Sequence, residues 1–264
     1  MIRFILALTL ISVSLSAFAD EPIPKELTPE QKAAALRAAE TIGFAIYRHD
    51  RAAAIASDAA IALPQFKNDS RIRGWVTEEQ QGQITVTFID ETPAALYRIT
   101  VSKEGVAGPV SALDSPAPLT TYEAGAAAAR SAALSSRFQQ CSNSYNSVVL
   151  PSSGAPGSNW LVYLLPGTTK NNVVPIGGTY RVEVSGSKVV SQRGFTRSCI
   201  ALQTDPKAVG LMISHVMDPA PTEAHVFWSI WARKPMYVAI PSNGTVWLVA
   251  GNKIELIEQK ATEG

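Results

Sequence analysis

The sequence predicts an α+β protein of antiparallel β meanders, each packed against one helix, arranged as two to three related units. Three observations lead there. Alanine-rich stretches repeat apolar residues at helical spacing, other stretches alternate with period two, and one short strand sequence occurs twice.

Met1 to Ala19 read as an export leader ahead of these units. Arg3 supplies the positive start, and Phe4 to Leu15 form an apolar run broken only by Thr9, Ser12 and Ser14. Ala17-Phe18-Ala19 makes an A-x-A cleavage site before Asp20. The expected product is periplasmic or secreted after cleavage near Ala19. No later apolar run approaches the roughly 18 residues that cross a bilayer, so no membrane span is expected. The chain has 264 residues with 23 Lys+Arg and 22 Asp+Glu, and removing Arg3 balances the two. Nucleic-acid binding needs a basic surplus, so nucleic acid is not an expected partner.

The first unit spans residues 20–113. Thr28-Pro29-Glu30-Gln31 places a hydroxyl at the N-cap, proline at the first helical position and glutamine at the third. Leu36, Ala39, Gly43 and Tyr47 follow at helical spacing, and Ile55, Ala59 and Leu63 resume it. Arg48-His49-Asp50-Arg51 reads as the helix's wet face or a short break, and Pro64 ends the segment. Gln83 to Asp90 then alternates through Ile84, Val86 and Phe88, and Leu96 to Ser102 through Tyr97, Ile99 and Val101. Val106 to Val110 follows as a third strand after a Lys103-Glu104-Gly105 turn. Asp114 to Pro118 reads as a linker, since its prolines cannot donate to a ladder.

The second unit, 120–202, repeats the order. Thr120 to Gln140 is an alanine-rich helix and Cys141 to Ser158 a long loop. Trp160–Leu165, Tyr180–Ser185 and Lys188–Arg193 are strands, the last two joined at Gly186-Ser187. The third unit, 203–264, offers a helix at Asp205 to Met217 and strands at Ala224–Trp231, Pro235–Ile240 and Thr245–Ala250. Asn243-Gly244 is a hairpin turn, and Lys253–Glu258 closes the unit. Tyr97-Arg98-Ile99-Thr100-Val101-Ser102 matches Tyr180-Arg181-Val182-Glu183-Val184-Ser185 at Tyr, Arg, Val and Ser.

Cys141 and Cys199 are the only cysteines, and in an oxidising compartment they pair. Closing a loop of about 58 residues stabilises the fold by about 4 kcal/mol.

Trp160, Tyr180, Val182, Val184, Gly186, Val189 and Val190 compose a strand, an aromatic-x-Val-x-Val strand, a Ser/Gly turn and a Val-Val strand. With an echo at Tyr97 to Val110, this pattern resembles the PepSY-type module of secreted bacterial proteins. The resemblance implies a cystatin-like helix on an antiparallel sheet, and a role in binding or restraining another protein, often a peptidase. It implies no catalytic motif.

Few residues invite catalysis. His49-Asp50 has the composition of a base and its orienting carboxylate, but neighbours on a helix point about 100° apart. His215, Glu223 and His225 match the residue types of a zinc site without a recognised spacing. Ser185-Gly186-Ser187-Lys188 has S-x-x-K spacing but sits in a hairpin turn and lacks the accompanying motifs. No catalytic residue, cofactor or metal ligand is therefore assigned. Trp228, Trp231, Tyr237 and Trp247 concentrate aromatic surface in the last unit and are the candidate partner surface. The expected function is an exported, non-enzymatic binding module for a protein or peptide. The alternatives are an envelope hydrolase using His49 or His215/His225, and a carbohydrate binder on the tryptophan-rich hairpin.

Overall fold

The computed structural model describes residues 26–152 and 158–259, so the expected leader lies outside the described residues. Helix α1 (Pro29–Ile61) begins as its sequence dictates. The Gln31 amide donates to Thr28 Oγ1 while the Thr28 amide donates to Gln31 Oε1, with Pro29 opening the helix. The helix runs unbroken through Arg48-His49-Asp50-Arg51, and this is a correction. His49 is buried, with its Nδ1 2.8 Å from Thr77 Oγ1, because the first sheet covers that side of the helix.

A single turn, α2 (Pro64–Lys67), leads into the first sheet: β1 (Gly74–Gln80), β2 (Gln83–Ile89), β3 (Ala95–Val101) and β4 (Ser111–Ala117), antiparallel in that order. The expected strand at Val106–Val110 shrinks to a bridge between Val101 and Ala107. The fourth strand is built instead from the supposed linker. Its edge position explains this, since Pro116 can lack a donor there without breaking an interior ladder.

Helix α3 (Thr121–Leu134) carries a second capping box, Thr120 with Glu123, and stops short of Gln140. Then come β5 (Tyr145–Pro151), β6 (Asn159–Pro166), β7 (Val173–Val174), β8 (Tyr180–Ser185), β9 (Lys188–Gly194) and β10 (Leu202–Gln203). Strand β5 occupies part of the segment whose composition reads as loop, and residues 153–157 of that segment lie outside the described residues. The sheet order is β5-β6-β8-β9, with β7 and β10 forming a small ladder of their own. Cys141 and Cys199 form the disulfide, Cα to Cα 5.2 Å, tying the chain after α3 to the chain after β9.

In the last unit helix and strand trade places relative to expectation. Asp205–Met217 is an irregular segment containing β11 (Leu211–Ser214), and Ala224–Trp231 lies within helix α4 (Glu223–Ala232). Strand β11 pairs parallel with β12 (Met236–Ile240), and α4 is the crossover between them. Strands β13 (Thr245–Ala250) and β14 (Lys253–Gln259) complete the sheet β11-β12-β13-β14. The misreading has a physical source. Helix α4 is buried on nearly every side, its Glu223, His225 and Ser229 included, so it has no wet face that separates it from a buried strand. What fixes the helix start is its cap: the Thr222 amide donates to His225 Nδ1 at 3.0 Å.

Packing stacks these elements in layers. Alternate residues of the middle sheet enter two different cores. Val149, Trp160, Val162 and Leu164 face the alanines of α3, whereas Val148, Leu150, Tyr163 and Leu165 face α1 and α4. The first sheet is likewise covered twice. Ile84, Val86 and Phe88 pack on Ala52, Ala53 and Ala56 of α1, and Val76 and Ile89 join the α3 core. Gly43 lets α4 lie close against α1, for a methyl there would sit 2.5 Å from Val226 Cβ. No described helix is long and apolar enough to cross a membrane.

Candidate functional site

The duplicated strand sequence performs the same task in each copy. In the first, Thr87 and Arg98 are cross-strand neighbours on β2 and β3. Both reach Glu123 of α3, the helix that opens the next unit: Thr87 Oγ1 donates to Oε1 at 2.6 Å, Arg98 Nε to Oε1 at 3.0 Å and Nη2 to Oε2 at 2.8 Å. In the second, Tyr163 and Arg181 are neighbours on β6 and β8. Both reach Glu223 at the start of α4, Tyr163 Oη and Arg181 Nη1 each donating to Oε1 at 3.1 Å. An arginine and a hydroxyl of one sheet thus latch onto the first turn of the following helix, twice.

The second copy adds chemistry to this latch. Where the next strand places Ser111 beside Arg98, it places Arg193 beside Arg181. Arg193 grips Asp218 with both terminal nitrogens, at 2.9 and 2.5 Å. Asp218 Oδ2 also lies 2.9 Å from His215 Nε2, and the His215 ring meets His225 edge-on with centroids 4.5 Å apart. Above this array opens a cleft of about 510 Å³. Small residues of α1, among them Ala35 and Ala38, form one wall. Arg181, Arg193, Asp218 and Glu223 form the other.

The charges in this wall are held fixed. Burial works to raise the Asp218 carboxyl, but hydrogen bonds from His215 and Arg193, and their charges, outweigh it and hold the group well below the usual carboxylate range. Burial and the adjacent Glu223 push the Tyr163 hydroxyl above its ordinary value, so it remains a donor. Burial, with the neighbouring His215, pulls His225 far below the ordinary imidazole value. A neutral ring agrees with its role as acceptor from the Thr222 amide, which assigns the proton to Nε2.

The residues singled out in the sequence scatter. His49 does not join Asp50: its partners are Thr77 and, at 3.7 Å, Glu79, while Asn146 donates to Asp50. Glu223 does not join His215 and His225, because Arg181 and Tyr163 occupy its carboxylate. Among the described residues no group of three His, Cys, Asp or Glu is placed to hold a metal. His49, His215 and His225 are 4%, 2% and 1% exposed, so the last two lie beneath the cleft floor. Ser185 and Lys188 face each other across the β8–β9 turn. Of the four aromatics, Trp228 and Trp247 are core residues whose indole N–H groups donate to Thr179 and Thr245. Trp231 is exposed on α4 and Tyr237 half-buried on β12, so the four form no common platform. Arg193 and Asp218 went unsignalled, being 25 residues apart, one on β9 and the other in the connection before α4. The repeated Tyr-Arg pair was the one available pointer.

No protein-family model matches the sequence, and no curated protein is significantly similar to it. Among solved structures the chain is similar to the Bacillus megaterium YpeB C-terminal domain, with 16% identity over 52% of this chain and a TM-score of 0.18. The match spans 64% of that domain, short of two thirds of its length. At that score the likeness carries no argument about fold or function.

Proposed function

We propose that the chain is an exported, non-enzymatic binding protein that grips an extended peptide or protein segment in the cleft between α1 and the 217–223 segment. Restraint of a peptidase, which the PepSY-type resemblance implies, is one form this takes. The observation that carries the reading is the elaboration of the second latch. The first Arg–Glu latch is purely structural, and the second adds Arg193 and Asp218 beside an open cleft faced by small side chains.

A peptide suits both walls. Alanines of α1 receive an apolar side chain, and the opposite wall offers fixed donors and acceptors to a backbone. Arg181 directs Nη1 to Glu223 and Nη2 to Glu183, and its buried Nε has no hydrogen-bond partner.

The test is a peptide array probed with the mature chain and with Ala38→Trp, a substitution at an exposed α1 position on the cleft wall. Peptides should bind the parent chain, and A38W should weaken them at least tenfold at unchanged melting temperature. An array with no binder would overturn the function. Undiminished binding to A38W would overturn the site.

A further inference from the structure

At the other end of α4, Trp231 is 39% exposed, an unusual state for the largest apolar side chain. It is not loose. Its ring stands edge-on to buried Trp228 with centroids 5.2 Å apart, and Trp228 is itself anchored to Thr179. Trp231 forms one wall of a cleft of about 360 Å³, at the small end of ligand pockets. Thr168, Lys170, Asn171, Asn172 and Thr204 supply most of its polar lining, beside the apolar Val173, Val174 and Ala232. Asn172 adopts a left-handed backbone, φ 57°, and its carbonyl accepts the Thr204 amide at 2.7 Å, which braces the loop against the segment after β10.

We infer that this cleft is a carbohydrate subsite, with one pyranose ring stacked on the Trp231 indole and its hydroxyls bonded by the 168–172 loop. A pyranose has an apolar face of C–H groups and a polar rim. An immobilised indole supplies the flat apolar surface. Each asparagine amide offers donors and acceptors together, as a sugar hydroxyl requires, and Lys170 adds three donors. An extended proline-rich peptide fits less well, because such ligands dock in grooves lined by several aromatics, and Trp231 is the one aromatic here. The subsite lies apart from the peptide cleft, with which it shares no lining residue, and does not depend on it.

The experiment is calorimetric titration of the mature chain with three defined probes: the tetramer of N-acetylglucosamine, maltotetraose and tetragalacturonate. At least one should bind saturably in the millimolar range or tighter. Trp231→Ala should weaken it at least tenfold and Asn171→Ala several-fold, with A38W unaffected. Far-ultraviolet dichroism and Trp231→Phe, which preserves a smaller stacking ring, separate loss of fold from loss of the platform. Failure of all three sugars to bind overturns the inference, as does binding that survives W231A intact.

Discussion

The guanidinium of Arg181 on β8 meets the carboxylate of Glu223 at the start of α4, Nη1 to Oε1 at 3.1 Å, as Arg98 on β3 meets Glu123 of α3 at 2.8 Å. Consecutive units are therefore joined by one device used twice, a strand arginine closing on the first turn of the next helix. Removing Glu123 leaves Arg98 partly buried without its carboxylate, which costs about 3 kcal/mol, whereas Arg181 keeps Glu183 when Glu223 is removed. Glu123→Ala should lower urea stability by about that amount, and Glu223→Ala by less. Equal stability of parent and both variants would show that the latches hold nothing together.

Gly43 sets the approach of α1 to α4. In an ordinary helix Gly→Ala stabilises by about 1 kcal/mol. Here the added methyl would meet Val226 Cβ at 2.5 Å and the Glu223 carbonyl at 2.7 Å, so Gly43→Ala should destabilise by about 1–3 kcal/mol, the usual overpacking range. Pairing it with Val226→Ala should recover part of the loss in thermal melts. A G43A protein more stable than the parent contradicts the close crossing.

Two buried imidazoles make stability depend on pH. Burial dominates in lowering His49 to about 4 and His225 well below its ordinary value. Unfolded histidines titrate near about 6.5, so the unfolded chain binds more protons than the folded one below that point. The histidine contribution is thus fully present above that pH and shrinks as acid is added, by at most about 1.4 kcal/mol per pH unit for each group. Denaturation midpoints should fall between pH 7 and pH 5. His225→Gln keeps a side-chain acceptor at the third helical position and should flatten the slope. An unchanged slope in H225Q would assign the acid sensitivity elsewhere.

The disulfide closes a loop spanning 58 residues of separation. Its loss in Cys141→Ser/Cys199→Ser should reduce stability by about 4 kcal/mol in the chain-entropy account, read as a lower urea midpoint. A midpoint equal to that of the oxidised parent would show that the bridge does not restrain the unfolded chain.

Local chemistry made much of this architecture readable. The Thr28 and Thr120 caps, the alternation in β2, β3, β8, β12 and β13, and the Asn243-Gly244 turn all follow from neighbours a few residues apart. β4 escaped because its proline, Pro116, is harmless only at an edge, and β5 because Ser and Asn surround a strand sandwiched between helices. The exchange of α4 and β11 escaped because α4 is buried on nearly every side, its polar Glu223, His225 and Ser229 included, and so presents no wet face to read.

The sequence by itself determined the α+β class, two of the three major helices, the residues available for the single disulfide, and the Tyr-Arg repeat. Only the tertiary structure decided what that repeat does. It brought Arg181 to Glu223 and Arg193 to Asp218, buried Trp228 and Trp247, and left Trp231 in solvent. Helix caps and strand alternation are set by interactions along the chain, whereas ion pairing and exposure depend on which distant segments pack together.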